Sequence, residues 1–424
     1  MNSNLTKDLK ELLDNEVINK DTAQKISDYY NSNSESQPNR LFIAFGILGA
    51  TLLGLGIILV LAHNWDEFSK SIKSIIAFIP LLIGQGIAGY TLYKNKSVVW
   101  RESSGVFLFF AVGASIALIS QIYHIPGDFA TYMMTWVVLC LPLVYLLKSN
   151  AVALLTLIFA TTYACTKGYD FGSQWAFPYL YLVYLLLLMP YYIIQLKAKQ
   201  KSNWVTFFNW FLPLSLTIVL GTFTQQLSPL AYIFMFGLFY NLGKLPVFSQ
   251  DKLRTNGFLI FGSFGTIVVL LIMTFNLMWQ EIIYSIINLK IESIMATVVL
   301  FLSALAVLII NLKHQERFKF NVFQYVFIGF LLIYGVGMYQ PFTATVLTNI
   351  LLLALGINAV KIGANTNHLG VLNYGMLIIT AMIVSRFFDE NISFAIKGML
   401  FILIGIGFFA VNYFMLKHRN KILK

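Results

Sequence analysis

Charged residues are scarce in this 424-residue chain, because Asp, Glu, Lys and Arg together make up only 11% of its positions. A soluble globular protein of this length carries about a quarter of its residues as charged side chains. Hydrophobic residues account for 58%, and the mean hydropathy is +0.74. The shortage of charge therefore excludes a soluble globular protein and predicts an integral membrane protein.

Cysteine is also rare, and both residues, Cys140 and Cys165, lie within apolar stretches. Their spacing fits neither a disulfide framework nor a zinc site, so we expect them to pack as small apolar side chains. The sequence lacks a cofactor motif, a metal-ligand cluster and a catalytic triad, so no cofactor and no metal are expected. The polar first forty residues predict no signal peptide.

Long apolar stretches follow one another along most of the chain. A crossing helix needs about 17 to 25 residues, and the pattern predicts an all-α polytopic helix bundle with about fourteen transmembrane helices. The predicted spans are residues 41–63, 74–93, 103–122, 132–147, 151–166, 176–195, 204–224, 227–243, 257–278, 292–312, 322–339, 343–361, 369–385 and 392–416.

The basic residues between these spans predict the orientation. With a cytoplasmic N-terminus, 23 of the 29 Lys and Arg residues lie on the inside. The six on the outside are Lys70, Lys73, Lys167, Lys290, Arg386 and Lys397. Because basic loops are retained in the cytoplasm, both termini are predicted to be cytoplasmic. The same distribution accounts for the net charge of +11 without a nucleic-acid partner.

An internal similarity divides the chain into segments. Trp65 and Glu67 correspond to Trp279 and Glu281, and further matches keep an offset of 213 to 220 residues. This predicts a parallel 6+2+6 arrangement, with a first six-helix repeat over 39–200, two linking helices over 201–256 and a second repeat over 257–424. Parallel repeats of this kind occur in transporters, with the substrate path between the halves.

Residues 1–38 are predicted to form a cytoplasmic amphipathic helical hairpin and a tether. Its helices cover residues 5–14 and about 20–30, and Asn31 to Pro38 is the tether. The hairpin is either a solvated appendage that docks on its own protein or a module for a protein partner or self-association.

Ionisable residues are nearly absent from the middle of the predicted spans. The polar residues there are amides, and helix-to-helix hydrogen bonding explains most of them. Examples are Gln85, Asn209, Asn276, Asn349, Asn358, Asn373 and Asn412. The sequence thus does not supply the buried carboxylate that ion-coupled transporters usually place at depth.

Polar and aromatic groups collect instead in the predicted outside loops. They are Asn64, Trp65, Asp66, Gln121, Tyr123, His124, Asp128, Arg386, Asp389 and Lys397. One interpretation is structural, with aromatic anchors at the membrane interface and Asp residues as helix caps. The other is an outward-facing substrate pocket, in which Arg386 and Lys397 neutralise an anionic group and Asp66 and Asp128 accept hydrogen bonds.

Two stretches, LGLGIILVLAHNWDE and LISQIYHIPGDFATYMMTW, together with the polar start of the chain, resemble a family of bacterial predicted membrane proteins. That family is catalogued as domain of unknown function 2157, and the resemblance covers approximately residues 5 to 200. It implies a multi-pass protein of the bacterial inner membrane without an assigned activity. No catalytic residue can be carried over from it.

Three functions are left open by the sequence. The first is a transporter or flippase-like protein that binds an amphipathic or anionic substrate, including a lipid-linked one, beside its membrane lipids. The second is a noncatalytic scaffold or envelope sensor that acts through the N-terminal hairpin. A membrane-embedded enzyme ranks third, because no nucleophile motif is present and the outer loops are short.

Overall fold

The computed structural model describes residues 9, 11–15, 17–32, 40–63, 68–169, 176–198, 202–225, 227–249, 253–285, 289–314 and 321–387, and seven separate positions between 395 and 409. Over these residues the protein is helical and has no β-strand. Eight of the described helices are long and apolar enough to cross a membrane, or nine if one bent pair counts as a single span. The protein is therefore a multi-pass helical membrane protein, while the count of about fourteen spans and the 6+2+6 repeat stay predictions.

The helices are numbered in chain order. They are α1 Lys20–Ser32, α2 Arg40–His63, α3 Lys70–Tyr93, α4 Val98–Tyr123, α5 Phe129–Leu147, α6 Asn150–Gly168, α7 Tyr179–Ala198, α8 Asn203–Phe223, α9 Ser228–Gly243, α10 Pro246–Ser249, α11 Gly257–Met273, α12 Asn276–Ser285, α13 Ile291–His314, α14 Val322–Gly337, α15 Pro341–Asn365 and α16 Leu369–Phe387. Residues 11–14 are helical as well. The last predicted span, 392–416, lies outside the described residues apart from separate positions.

The described chain divides into two compact units. Unit 1 consists of residues 1–127 and 134–156, and unit 2 of residues 128–133 and 157–424. In unit 1, α2 and α3 both pack along α4. A Cβ added to Gly54 of α2 would lie 2.7 Å from the Cβ of Phe110 in α4, so a small residue at this position lets the two helices approach closely.

Helix α9 forms the centre of unit 2 and packs against α8, α11, α13 and α14. Its side chains are mostly buried, and Phe234 meets Phe327 of α14 edge to face at 6.4 Å. A Cβ on Gly237 would lie 2.9 Å from the Cβ of Phe327, and one on Gly262 of α11 would overlap the backbone of Tyr240. Close backbone contact therefore sets the separation of α9 from two of its neighbours.

The range 257–278, predicted as one span, is broken into α11 and α12, which are bent by 87°. Backbone groups that a bend releases must find partners, because a membrane offers no water to an unpaired carbonyl. Here the indole Nε1 of Trp279 donates to the carbonyl of Met273 at 2.8 Å. The Nδ2 of Asn349 donates to the carbonyl of Thr274 at 3.3 Å. These side chains compensate the break and make it compatible with a membrane.

Candidate functional site

Five amide side chains lie together at one end of unit 2, and we call them the amide cluster. Its members are Asn241 of α9, Asn311 of α13, Asn321 at the N-terminus of α14, Gln324 of α14 and Asn358 of α15. All are buried except Asn358, which is half-buried. Burying an amide among apolar side chains is costly unless its donors and acceptors are satisfied. Each polar atom of the cluster is therefore expected to have a hydrogen-bond partner.

Asn241 joins three helices through its side chain and backbone. Its Nδ2 donates to the carbonyl of Gly237 at 2.9 Å and to the carbonyl of Gln324 in α14 at 3.1 Å. Its own carbonyl accepts from the Nδ2 of Asn311 in α13 at 2.7 Å. The same carbonyl accepts from the backbone N–H of Lys244 at 3.2 Å, in the turn that ends α9. These hydrogen bonds thus connect the C-terminal end of α9 to α13 and α14.

Asn321 is the second centre of the cluster. Its Oδ1 caps α14 by accepting from the backbone N–H of Phe323 at 3.1 Å, and it also accepts from the Nδ2 of Asn358 at 3.1 Å. Its Nδ2 donates to the hydroxyl of Tyr240 at 2.7 Å. The Tyr240 ring stacks on Phe323 with centroids 5.4 Å apart. The Tyr240 hydroxyl is therefore held in place with its own proton still available for donation.

Lys244 lies beside this cluster, directly after the last residue of α9. Its Nζ is 5.7 Å from the centroid of the Tyr240 ring, a cation–π contact. Burial lowers the pKa of Lys244 from its usual value. In the part of the chain that the structure describes, the ion pairs are Lys25 with Asp21 and Lys167 with Asp128. No described carboxylate therefore neutralises Lys244.

The cluster and Lys244 share one end of the helix bundle because neighbouring helices run in opposite directions. Asn241 and Asn311 are near the C-termini of α9 and α13, and Asn321 begins α14. By the distribution of basic residues, this end is predicted to be cytoplasmic. Sequence reasoning named Asn358 as a buried amide but missed the other four and Lys244. The available signal was Asn241, which lies three residues before Lys244, the lysine that follows α9.

The site predicted in the outside loops is described in part. Asn64, Trp65, Asp66, Asp389 and Lys397 lie outside the described residues, and so does the side chain of Arg386, which is in the last turn of α16. The convergence of these groups into one pocket therefore stays a prediction.

Three of the predicted residues end α4 in unit 1. The hydroxyl of Tyr123 is 3.1 Å from the Oγ of Ser74 in α3, and its ring is 55% exposed. His124 closes the helix in the left-handed conformation with φ of 51°, and its N–H donates to the carbonyl of Gln121 at 3.4 Å. These contacts give Tyr123 and His124 structural roles at the end of α4.

Asp128 of unit 2 acts as a helix cap. Its Oδ1 accepts from the backbone N–H of Thr131 at 2.7 Å, in the first turn of α5. Its Oδ2 is 4.0 Å from the Nζ of Lys167. Hydrogen bonding to Thr131 and the charge of Lys167 hold the pKa of Asp128 below its usual value. The capping interpretation of Asp128 thus has direct geometric support.

A fully buried carboxylate, Glu102 of α4, was not singled out from the sequence. It accepts hydrogen bonds from the backbone N–H groups of Asn150 at 3.0 Å and Ala151 at 2.9 Å. The hydroxyl of Ser149 also donates to it. The signal available was that Glu102 is the one acidic residue between positions 68 and 127. In the described residues, His, Cys, Asp and Glu form no group of three that could hold a metal ion.

Comparison with known proteins identifies one family. The family model described as "Predicted membrane protein (DUF2157)" matches residues 10–153. No curated protein and no solved structure matches the chain. The matched range begins within the first helix of the predicted N-terminal hairpin and includes α1 to α5. It ends just after Ser149 and Asn150, which hold Glu102. Residues 10–153 therefore match the family described as predicted membrane protein DUF2157, which confirms the resemblance found in the sequence.

Proposed function

We propose that this membrane protein binds an anionic amphipathic substrate in unit 2 and moves it across the bilayer. The observation that supports the proposal is Lys244, a half-buried cation without a carboxylate partner among the described residues. An unpaired buried cation costs free energy, and an anionic group beside it would offset that cost. The free hydroxyl proton of Tyr240 would donate to the same group, and the amide cluster would hold Tyr240 in position.

The break between α11 and α12 supports transport rather than simple binding. Discontinuous helices in transporters line the substrate path and present polar groups at depth. Next to this break, the Oδ1 of Asn276 is buried and has no hydrogen-bond partner. The predicted topology places the break toward the outside and Lys244 toward the cytoplasm. A substrate path through unit 2, from the outside loops past the break to Lys244, is consistent with both features.

The first experiment measures transport in proteoliposomes. Fluorescent phosphatidylglycerol and its zwitterionic analogue phosphatidylcholine serve as probes, and quenching by dithionite reports the label that reaches the outer leaflet. We expect faster movement of phosphatidylglycerol, and loss of that difference in Lys244→Gln. Lys361→Gln is the matched control, because Lys361 is an exposed lysine near the end of α15 on the same predicted side. Equal rates for both lipids, or full activity of Lys244→Gln, would refute the proposal.

A scaffold or sensor role is the second candidate, favoured by the N-terminal hairpin. Leu9 and Ala23 are buried, whereas Leu12 and Val17 are 39% and 66% exposed. The hairpin therefore packs part of its apolar surface and leaves another part for a partner. In cells whose growth depends on the protein, a growth defect on deletion of residues 1–38, with Lys244→Gln without effect, would favour this role. The reverse result would favour transport.

A further inference from the structure

We infer that unit 1 holds the phosphate of an anionic lipid at the turn between α3 and α4, with Arg101, Lys94 and Lys96 supplying the positive charge. This site is in a different unit from Lys244 and does not depend on the proposed transport. Nothing in the sequence pattern distinguishes these residues from ordinary basic loop residues. The contacts around the turn do distinguish them.

Arg101, the fourth residue of α4, is a half-buried cation that lacks an anion. Its Nε is buried and donates no hydrogen bond, and no described carboxylate pairs with it. The neighbouring Glu102 cannot serve, because the N-terminus of α6 occupies its carboxylate. Since Glu102 is the one acidic residue between positions 68 and 127, unit 1 offers no nearby alternative in that range. Among the residues that the structure describes, no anion is left for Arg101, and we assign this role to an anion from outside the chain.

Other polar groups around the turn are also unsatisfied. The hydroxyl of Thr91 in the last turn of α3 and that of Ser103 in α4 are buried without a partner. Six described side-chain atoms are in this condition, and three of them belong to Thr91, Arg101 and Ser103. Buried polar atoms in proteins are nearly always hydrogen-bonded. The hydroxyl of Ser103 faces Gly46 of α2, whereas the Nε of Arg101 carries positive charge and is the atom that a phosphate would satisfy.

Two further cations lie in the turn. The Nζ of Lys94 is 5.2 Å from the ring centroid of Tyr93, and the Nζ of Lys96 is 5.2 Å from that of Tyr90. Both rings are exposed, Tyr93 to 81%. Asn95, with φ of 47°, reverses the chain between the two lysines. Each lysine is therefore held by an aromatic ring, and its charge is not neutralised by a described carboxylate.

The depth of the site favours a lipid phosphate over a soluble anion. The 26 residues of α4 extend over about 39 Å, which exceeds the hydrocarbon thickness of about 30 Å. Centred in the bilayer, each end of α4 extends about 4 to 5 Å beyond the hydrocarbon, and Arg101 lies about 4.5 Å from the first residue. The backbone of Arg101 is thus at the edge of the hydrocarbon, from which its long side chain reaches the phosphates. Exposed Trp100 and Tyr90 fit the aromatic belt expected at that level.

The experiment uses the full chain purified in detergent and exchanged with lipids of known composition. Native mass spectrometry measures retention of phosphatidylglycerol against phosphatidylcholine. Because one cation near an anionic surface contributes roughly a fivefold factor, we expect Arg101→Gln to weaken phosphatidylglycerol retention about fivefold. The triple variant with Lys94→Gln and Lys96→Gln should lose about a hundredfold. Lys197→Gln, an exposed lysine at the end of α7, is the matched control and should retain the lipid.

Two further measurements keep the inference testable. Thermal unfolding of each variant without added lipid identifies a folding defect. Arg101→Lys should keep part of the lipid retention because it keeps the charge.

Inorganic phosphate is added as a competitor, and we expect it to leave lipid retention unchanged. Displacement of the lipid by inorganic phosphate would overturn the inference, and so would equal retention by Arg101→Gln and Lys197→Gln. Transport by Arg101→Gln with loss of transport in Lys244→Gln would show that the two sites are independent.

Discussion

The carboxylate of Glu102 in α4 accepts a hydrogen bond from the backbone N–H of Ala151 in α6, with 2.9 Å between the atoms. The first N–H groups of a helix have no partner within the helix. Here a carboxylate from another helix satisfies them, and its negative charge also faces the positive end of the α6 dipole. One buried side chain thus joins α4 to the beginning of α6, through residues of unit 1 that are 47 to 49 positions apart in sequence.

Replacing Glu102 should destabilise unit 1 strongly. Glu102→Ala leaves the N–H groups of Asn150 and Ala151 buried without an acceptor, and we expect it to lower the free energy of unfolding by about 3 kcal/mol. Glu102→Gln keeps one acceptor and should cost less. Thermal and denaturant unfolding in detergent measures the effect. Glu281→Ala, at an exposed glutamate in α12, is the control and should behave like the parent protein.

Two glycines give a test of helix packing in unit 1. A Cβ on Gly113 of α4 would overlap the indole ring of Trp136, whereas a Cβ on Gly86 of α3 would meet no atom within 4 Å. Gly113→Ala should therefore lower the free energy of unfolding by about 1 to 3 kcal/mol. Gly86→Ala should be neutral or slightly stabilising, because alanine favours a helix. Equal unfolding curves for the two variants would contradict the packing of α4 against Trp136.

Removing the half-buried charge of Lys244 should stabilise the protein at neutral pH. Because the pKa of Lys244 is lower in the folded than in the unfolded state, the unfolded state binds more protons between these two values. Stability of the parent protein should therefore rise with pH through that window, and Lys244→Met should lack this rise. Unfolding at pH 7 and pH 10 measures it. If Lys244→Met destabilises the protein at pH 7 more than Lys361→Met does, Lys244 is paired after all.

The cap at Asp128 gives a pH dependence of the same sign in a lower pH range, but it is a stabilising contribution that is lost on acidification. The pKa of Asp128 is lowered in the folded state, so its contribution to stability is present above its usual pKa of 3.8 and is lost as the pH falls through the folded value. Asp128→Ala should cost about 1 kcal/mol at pH 7, and the cost should shrink toward pH 3. Asp28→Ala, in exposed α1, serves as the control. A pH-independent cost would argue against the charged cap.

Helix positions were predictable because they depend on local hydrophobicity. The span predicted over 227–243 is α9 at Ser228–Gly243, and the span over 292–312 lies within α13. The break in the span predicted over 257–278 was not predictable. Trp279 was interpreted as a residue just after a span, but it is fully buried inside α12 against Phe330 and Tyr334. Hydropathy records how apolar a segment is and carries no information about its packing partners.

The residues of the candidate sites were likewise predictable only where their partners are close in sequence. Asp128 was recognised as a possible cap because a helix cap depends on residues next to it in the chain. The amide cluster could not be assembled from sequence, because Asn241 bonds with Asn311 and with Gln324 across 70 and 83 residues. An isolated buried asparagine has the same local pattern whether it caps a neighbouring helix or faces a ligand. Partners distant in sequence decide between the two.

The sequence by itself determined that this protein is a helical, multi-pass membrane protein. With few charges and many apolar residues, its backbone can satisfy its hydrogen bonds in a bilayer only within helices. Only the tertiary structure decided which buried polar groups meet. Glu102 is neutralised by a helix end, whereas Lys244 and Arg101 remain without a described carboxylate, because that outcome depends on helix packing. Packing depends on the shapes of surfaces brought together from distant parts of the chain.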